Sequence, residues 1–250
     1  MRARTFLAAC LLPAAAGCGG HSASPPHRTA AAPPARHCRG GYHVLGTARL
    51  AYAAVVKARA VAVTRPGGRA LARFGRLNVN GVPTVFGVLG ARRTRRCADT
   101  WYRVQLPIRP NGATGWVRAD RVTLAAVRTR VVVDLSARRL TLFRDGRRVL
   151  TATVAVGAPA TPTPTGRYYV NQRLIPTDPN GPFGPGAVGI SAFSNVLTGW
   201  AQGGPIAIHG TDAPWSIGHD VSNGCIRLPN ATLRRVFSAA LAGTPVVIQR

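Results

Sequence analysis

The chain has 250 residues, with 33 lysines and arginines against 7 acidic residues and a formal net charge of +26. That length favours one or two modest domains over one large core. Lys57 is the only lysine, and the arginines are scattered through every segment without the aromatic interleaving of a single-strand binder, which argues against a nucleic-acid partner. For an exported chain, anionic envelope polymers are the alternative partners for such charge, and arginine-rich surface composition without a binding role accounts for it equally well.

Residues 1–17, "MRARTFLAACLLPAAAG", run from two arginines through an apolar stretch to small residues, the build of a secretory signal peptide and too short to span a bilayer permanently. The stretch ends in "AAGC", which resembles a lipoprotein cleavage motif with Ala15 in place of the usual leucine. Cys18 would then be a lipid anchor holding the protein to a membrane. An ordinary cleaved signal is the other reading, and either one exports the chain to the cell envelope. Residues 18–57, which include the Pro/Ala-rich "HSASPPHRTAAAPPARH", read as anchor and linker.

Residues 58–124 carry short apolar runs separated by turn signals, with period-two alternation in "WYRVQL" and "GWVRADRV" around an Asn-Gly turn. These runs predict hairpins of a small all-β unit, and the pattern resembles a bacterial SH3-like domain. The resemblance implies a wall-peptide binder or a module that positions a neighbour. From 128 to 250 the strands lengthen, beginning with "TRVVVDLSARRLTLFRDGRRVLTATVAVG" and its turn at "RDG". A Pro/Gly-rich loop at 176–189 is long enough to raise a lid. One helix is signalled, with Asn230 as N-cap, apolar residues at Leu233, Val236, Phe237 and Leu241, and a stop at Gly243 and Pro245. The expected fold class is mostly β: a small barrel, then a β-sandwich or barrel with one or two short helices.

The chain has five cysteines, and Cys10 leaves with the signal while Cys18 is the candidate anchor. Cys38, Cys97 and Cys225 remain, and an odd count in an exported protein flags a free thiol. Cys38 and Cys97 are a candidate pair, subject to a geometry that sequence does not give. Cys225 follows Gly224 in "SNGCIR", sixteen positions after His209, which closes the apolar run "GPIAI". A thiol with a pKa near 8.5 needs a base to become a good nucleophile at neutral pH, and an imidazole at a strand end meets that need. The N–H groups of Gly224 and Cys225 are the expected oxyanion hole.

"IHGTDAPWSIGHDVSNGCIRLPN", with "TPTPTG" and "GPFGPGAVGISAFS", resembles the catalytic core of the L,D-transpeptidases, the YkuD-type enzymes that cross-link peptidoglycan. The resemblance implies that Cys225 is the nucleophile and His209 the base. It places Gly210, Ser222, Asn223 and Arg227 around the substrate, which would be peptidoglycan stem peptides. Asn223 departs from the pattern, standing where many members carry a second histidine. The resemblance implies no cofactor, and it implies acylation of the same cysteine by carbapenems.

Three rival readings bear on the same residues. A zinc site from His209, Asp212, His219, Asp220 and Cys225 has no compact ligand pair beyond the adjacent His219 and Asp220, so no metal is expected. A cysteine peptidase trimming stem peptides would use the same thiol and base. A non-catalytic wall-binding lipoprotein would leave the thiol idle.

Overall fold

The computed structural model describes residues 38–250, so the expected signal peptide and Cys18 lie outside the described residues. The described residues make one compact unit built of two β lobes.

The first lobe is an antiparallel sheet of β1 (Gly41–Val44), β2 (Ala51–Val56), β3 (Arg59–Val63), β4 (Ala70–Gly75), β5 (Val85–Arg93), β6 (Asp99–Gln105), β7 (Thr114–Arg118) and β8 (Val122–Val127). Its order is β4-β3-β7-β6-β5-β2-β8, with β1 on β5. Alternate residues such as Ala54, Phe86, Val104 and Val117 fill its core, as period-two patterning requires. This corrects the expected linker over 18–57. Residues 41–44 and 51–56 are strands, and β2 lies between β5 and β8, where Ala53, Ala54 and Val56 are buried. Cys38 and Cys97 form a disulfide, which ties the start of the described chain to the β5–β6 turn.

The second lobe contains β9 (Thr129–Asp134), β10 (Arg139–Arg144), β11 (Arg147–Thr153), β12 (Val156–Gly157), β13 (Gly166–Leu174), β14 (Ala187–Phe193), β15 (Pro205–His209), β16 (Asp220–Ser222), β17 (Ile226–Arg227), α1 (Asn230–Ala239) and β18 (Pro245–Gln249). Its main sheet has the order β11-β10-β9-β18-β13-β14-β15-β17. The "RDG" turn is a two-residue hairpin loop with both Asp145 and Gly146 at positive φ, the conformation that matches the twist of the flanking strands. One face of this sheet carries Val131, Leu140, Val188, Ile190, Ile206, Ile208 and Ile226 into the core, where Leu233 and Val236 of α1 meet them. The opposite face of β13, β14, β15 and β17 is left to build a site.

Asn230 is not the N-cap. Pro229 occupies that position, and the Asn230 carboxamide oxygen accepts from the Thr211 N–H at 2.8 Å, so tertiary contact outranks the local capping preference. The helix ends at Ala239, before the expected stop, and leaves Leu241 exposed.

The lobes meet through Tyr169 of β13. Its ring is 1% exposed and packs where a Cβ on Gly87 would come within 3.0 Å, so glycine is required on β5 for this approach. Its hydroxyl donates to the Val85 carbonyl at 3.1 Å. Around it, Asn78 and Asn80 donate to the Gln172 Oε1, and Arg109 and Asn111 bind the carbonyls of Ser194, Gly203 and Phe193.

Candidate active site

His209 ends β15, and Cys225 immediately precedes β17. These strands pair in parallel with Ile208 opposite Ile226 and His209 opposite Arg227, which brings Cys225 level with Ala207. Because Ile208 and Ile226 point into the core, Ala207, His209, Cys225 and Arg227 share the opposite face. The Ala207 N–H donates to the Cys225 Sγ at 3.4 Å and holds the sulfur against β15.

The imidazole of His209 is buried, and its Nδ1 lies 2.6 Å from the Gly210 carbonyl oxygen. A carbonyl only accepts, so Nδ1 carries the proton and Nε2 keeps its lone pair. Phe183, from the 176–189 loop, places its ring edge-on to the imidazole at 5.0 Å, and its carbonyl accepts from the Gly210 N–H. That loop is therefore packed onto the histidine, not held away from it.

Burial pushes the His209 pKa down from 6.5 to about 4, against the opposing pull of the Gly210 carbonyl and with a further lowering from the Arg227 charge. Burial likewise pushes the Cys225 thiol up, with the Ala207 N–H and Arg227 pulling the other way. Part of the Cys225 side chain reaches the surface, yet the protein packed around its sulfur strips enough water to disfavour a thiolate. The resting state at neutral pH is thus a neutral thiol beside a neutral imidazole.

The turn carrying the cysteine is tied from inside. The Ser222 hydroxyl donates to the Cys225 carbonyl at 2.6 Å and accepts from the Gly224 N–H at 3.1 Å. The Gly224 N–H is thus engaged within the turn, whereas no described residue accepts from the Cys225 N–H. Ser222 is 1% exposed, with its hydroxyl spent on the turn. Gly224 sits at a φ of 102°, which only glycine adopts readily.

Gly210 is buried against Asn230, with its carbonyl turned to the His209 Nδ1. Asn223 is exposed at the mouth, and Arg227 has a buried Nε without a hydrogen-bond partner.

Sequence reasoning missed two threonines. Thr163 donates to the Gly224 carbonyl and accepts from the Gly157 N–H, while Thr161 donates to the Ser222 carbonyl. The "TPTPTG" segment is the outer clamp of the turn that carries Cys225, and only its place in a motif could have flagged it. Among the described residues, no three His, Cys, Asp or Glu side chains cluster to hold a metal ion. His219 and Asp220 are exposed, with Asp220 bound by Arg138. Replacing Ser222 with alanine is expected to strand the buried Gly224 N–H and to lower stability by about 1–3 kcal/mol, measured by urea unfolding.

Residues 128–248 match the family model of the YkuD L,D-transpeptidase catalytic domain. The second lobe is similar to the L,D-transpeptidase catalytic domain. Named as an L,D-transpeptidase, YkuD of Bacillus subtilis is 38% identical over 120 residues, which are 48% of this chain and 65% of that protein. ErfK/SrfK of Escherichia coli, also named as an L,D-transpeptidase, is 36% identical over 94 residues, 35% of this chain and 26% of that protein. A crystal structure of an Enterococcus faecium L,D-transpeptidase mutant is 26% identical, over 48% of this chain and 49% of that one, with a TM-score of 0.38. The chain thus covers less than two thirds of the length of these relatives. The first lobe precedes the transpeptidase match, which begins after β8.

Proposed function

We propose that the chain is a peptidoglycan L,D-transpeptidase exported to the cell envelope, with Cys225 as nucleophile and His209 as general base. The observation that carries this reading is the neutral thiol sharing one sheet face with an imidazole whose Nδ1 is held by the Gly210 carbonyl. The free lone pair on Nε2 takes the thiol proton as Sγ attacks the carbonyl of a donor stem peptide, so charge develops only during the reaction. The Cys225 N–H stabilises the oxyanion. The C–N bond then breaks, His209 returns the proton to the departing amine, and a thioester remains. An amine of a second stem peptide, deprotonated by His209, attacks the thioester and restores the thiol.

Arg227 supports the same reading. Its positive field favours anionic sulfur and oxyanion, and its unpartnered Nε suits an acidic group of the substrate. Asn223, exposed beside the nucleophile, is a substrate contact in this scheme. The first lobe is read as an SH3-like module and Cys18 as a membrane anchor, with anionic envelope polymers as partners of the arginine-rich surface.

The test is the intact mass of the protein after incubation with a carbapenem, beside a Cys225→Ala control. One covalent adduct absent from the control is expected, and untreated protein supplied with two stem peptides is expected to give a dimeric product. No adduct from folded, reduced protein would remove the acyl-transfer reading, and product arising only by hydrolysis would assign a peptidase.

A further inference from the structure

Cys225, Ala207, Gly189 and Gln172 stand in one row across β17, β15, β14 and β13, because Gly189 is registered with both Ala207 and Gln172. The row runs from the thiol toward the first lobe. At its far end lies a cavity of about 440 Å³, lined by residues of both lobes, among them Asn78, Asn80, Asn171, Gln172, Phe193 and Pro205. Pro205 and Ala207 alternate along β15 with the core residues Ile206 and Ile208, so the cavity opens on the same sheet face as Cys225.

Two polar atoms of the lining residues Asn171 and Gln172 have no protein partner to serve. The Asn171 Oδ1 is buried without a hydrogen bond, a condition that native structures rarely tolerate without a reason. The Gln172 Nε2 donates to no described residue. Its orientation is fixed, since the Gln172 Oε1 accepts from both Asn78 and Asn80 at 2.9 Å, and reversing the carboxamide would set an NH2 group against two others. Both atoms lie close together over Gly189, which the Gln172 side chain covers: a Cβ there would lie 2.6 Å from the Gln172 Cγ, 3.0 Å from its Nε2 and 3.1 Å from the Asn171 Oδ1.

One free acceptor beside one free donor is the complement of an amide, which offers an N–H and a C=O. We propose that this cavity is a second substrate subsite, in which Asn171 and Gln172 bind one amide of the peptide whose carbonyl Cys225 attacks. The subsite rests on the acyl-transfer reading above. Asn171 reaches the amide by a turn about χ2, a torsion with a broad, shallow preference. Gly189 lies two strands from the cysteine, roughly 10 Å, which about three residues of extended peptide cover. The neutral amides lining the cavity suit an uncharged segment of chain. The first lobe enters the scheme as the holder of Gln172, through Asn78 and Asn80, which act as positioning residues.

The test uses the full chain with Cys225→Ala to prevent turnover, and calorimetry with a tetrapeptide stem. The same stem N-methylated at each amide in turn and a peptide-free N-acetylated disaccharide are further ligands. Asn171→Leu breaks no native hydrogen bond and is expected to weaken stem binding about tenfold. N-methylation at one position should weaken binding to a similar degree, and Asn171→Leu should abolish that sensitivity. Asn171→Ser, a smaller change, guards against misfolding and should weaken binding in the same direction. Equal affinity with and without Asn171→Leu overturns the subsite, as does an Asn171-dependent affinity for the disaccharide with none for the peptide. If the carbapenem adduct forms on Cys225 while Asn171 proves indifferent, the subsite falls and the acyl-transfer reading stands; if no adduct forms and no stem binds, both fall.

Discussion

Replacing His209 with alanine is expected to lower the rate of Cys225 acylation by about 10²–10⁴-fold while leaving the fold intact. The size of the effect follows from the resting protonation state. Burial holds the thiol above its ordinary range, so the variant has little thiolate to offer at neutral pH. Without an acceptor for the proton, attack must await the rare ionised form. A cysteine that carried its own low pKa would barely notice the loss, and a near-wild-type rate would remove His209 from the role of base. Acylation by a carbapenem, followed by stopped-flow or by mass, reads this directly.

The same pair sets the pH dependence. With a pKa of about 4, His209 remains a competent base down to acid conditions, so the rate should rise through pH 4 and stay level through neutrality. An ordinary histidine would place that limb near 6.5. Stability moves with the same group. Between pH 6.5 and 4 the unfolded chain protonates this histidine and the folded chain does not, so the unfolded state binds more protons and folding weakens as pH falls. The loss is on the order of 3 kcal/mol once both states are protonated, and it is absent above pH 6.5. Denaturant midpoints against pH, compared with His209→Gln, isolate this contribution.

Much of this site was legible before the fold was known, and the reasons differ by residue. Cys225 and His209 stand out because the thiol is left over from an odd cysteine count and the histidine ends an apolar strand. The strands of both lobes follow from alternation, as at Val131 and Val133 or Ile206 and Ile208. The 41–56 segment was hidden because its strands are short and its Ala51–Val56 run is small-residue-rich, so only pairing with β5 and β8 makes it a strand. Thr163 was hidden for another reason. Its hydroxyl meets the Gly224 carbonyl 61 residues away, and no local rule connects them. Gly224 drew notice for its N–H alone, whereas its φ of 102° and its bond to Ser222 belong to the turn and are set by contacts that no local pattern shows.

Tyr169→Ala is expected to cost about 3–5 kcal/mol, among the largest effects of any single change outside the site. The ring is nearly inaccessible and fills the space that Gly87 leaves on β5, so its removal opens a cavity between the lobes instead of inside either core. The hydroxyl adds a second loss, because the Val85 carbonyl is left without its donor. Tyr169→Phe separates the two, keeping the packing and losing only the hydrogen bond, for about 1–3 kcal/mol. The lobes fold around separate clusters of buried residues, so weakening their contact should also change how the chain unfolds. Urea unfolding followed by two probes, Trp101 and Trp116 fluorescence for the first lobe in a Trp200→Phe, Trp215→Phe background and Cys225 labelling for the second, should coincide without the Tyr169 change and diverge in Tyr169→Ala. Coincident transitions in the variant would mean that the remaining contacts, from Asn78, Asn80, Arg109 and Asn111, suffice to couple the lobes. Divergent ones would make Tyr169 the residue that joins the first lobe to the sheet face carrying His209 and Cys225.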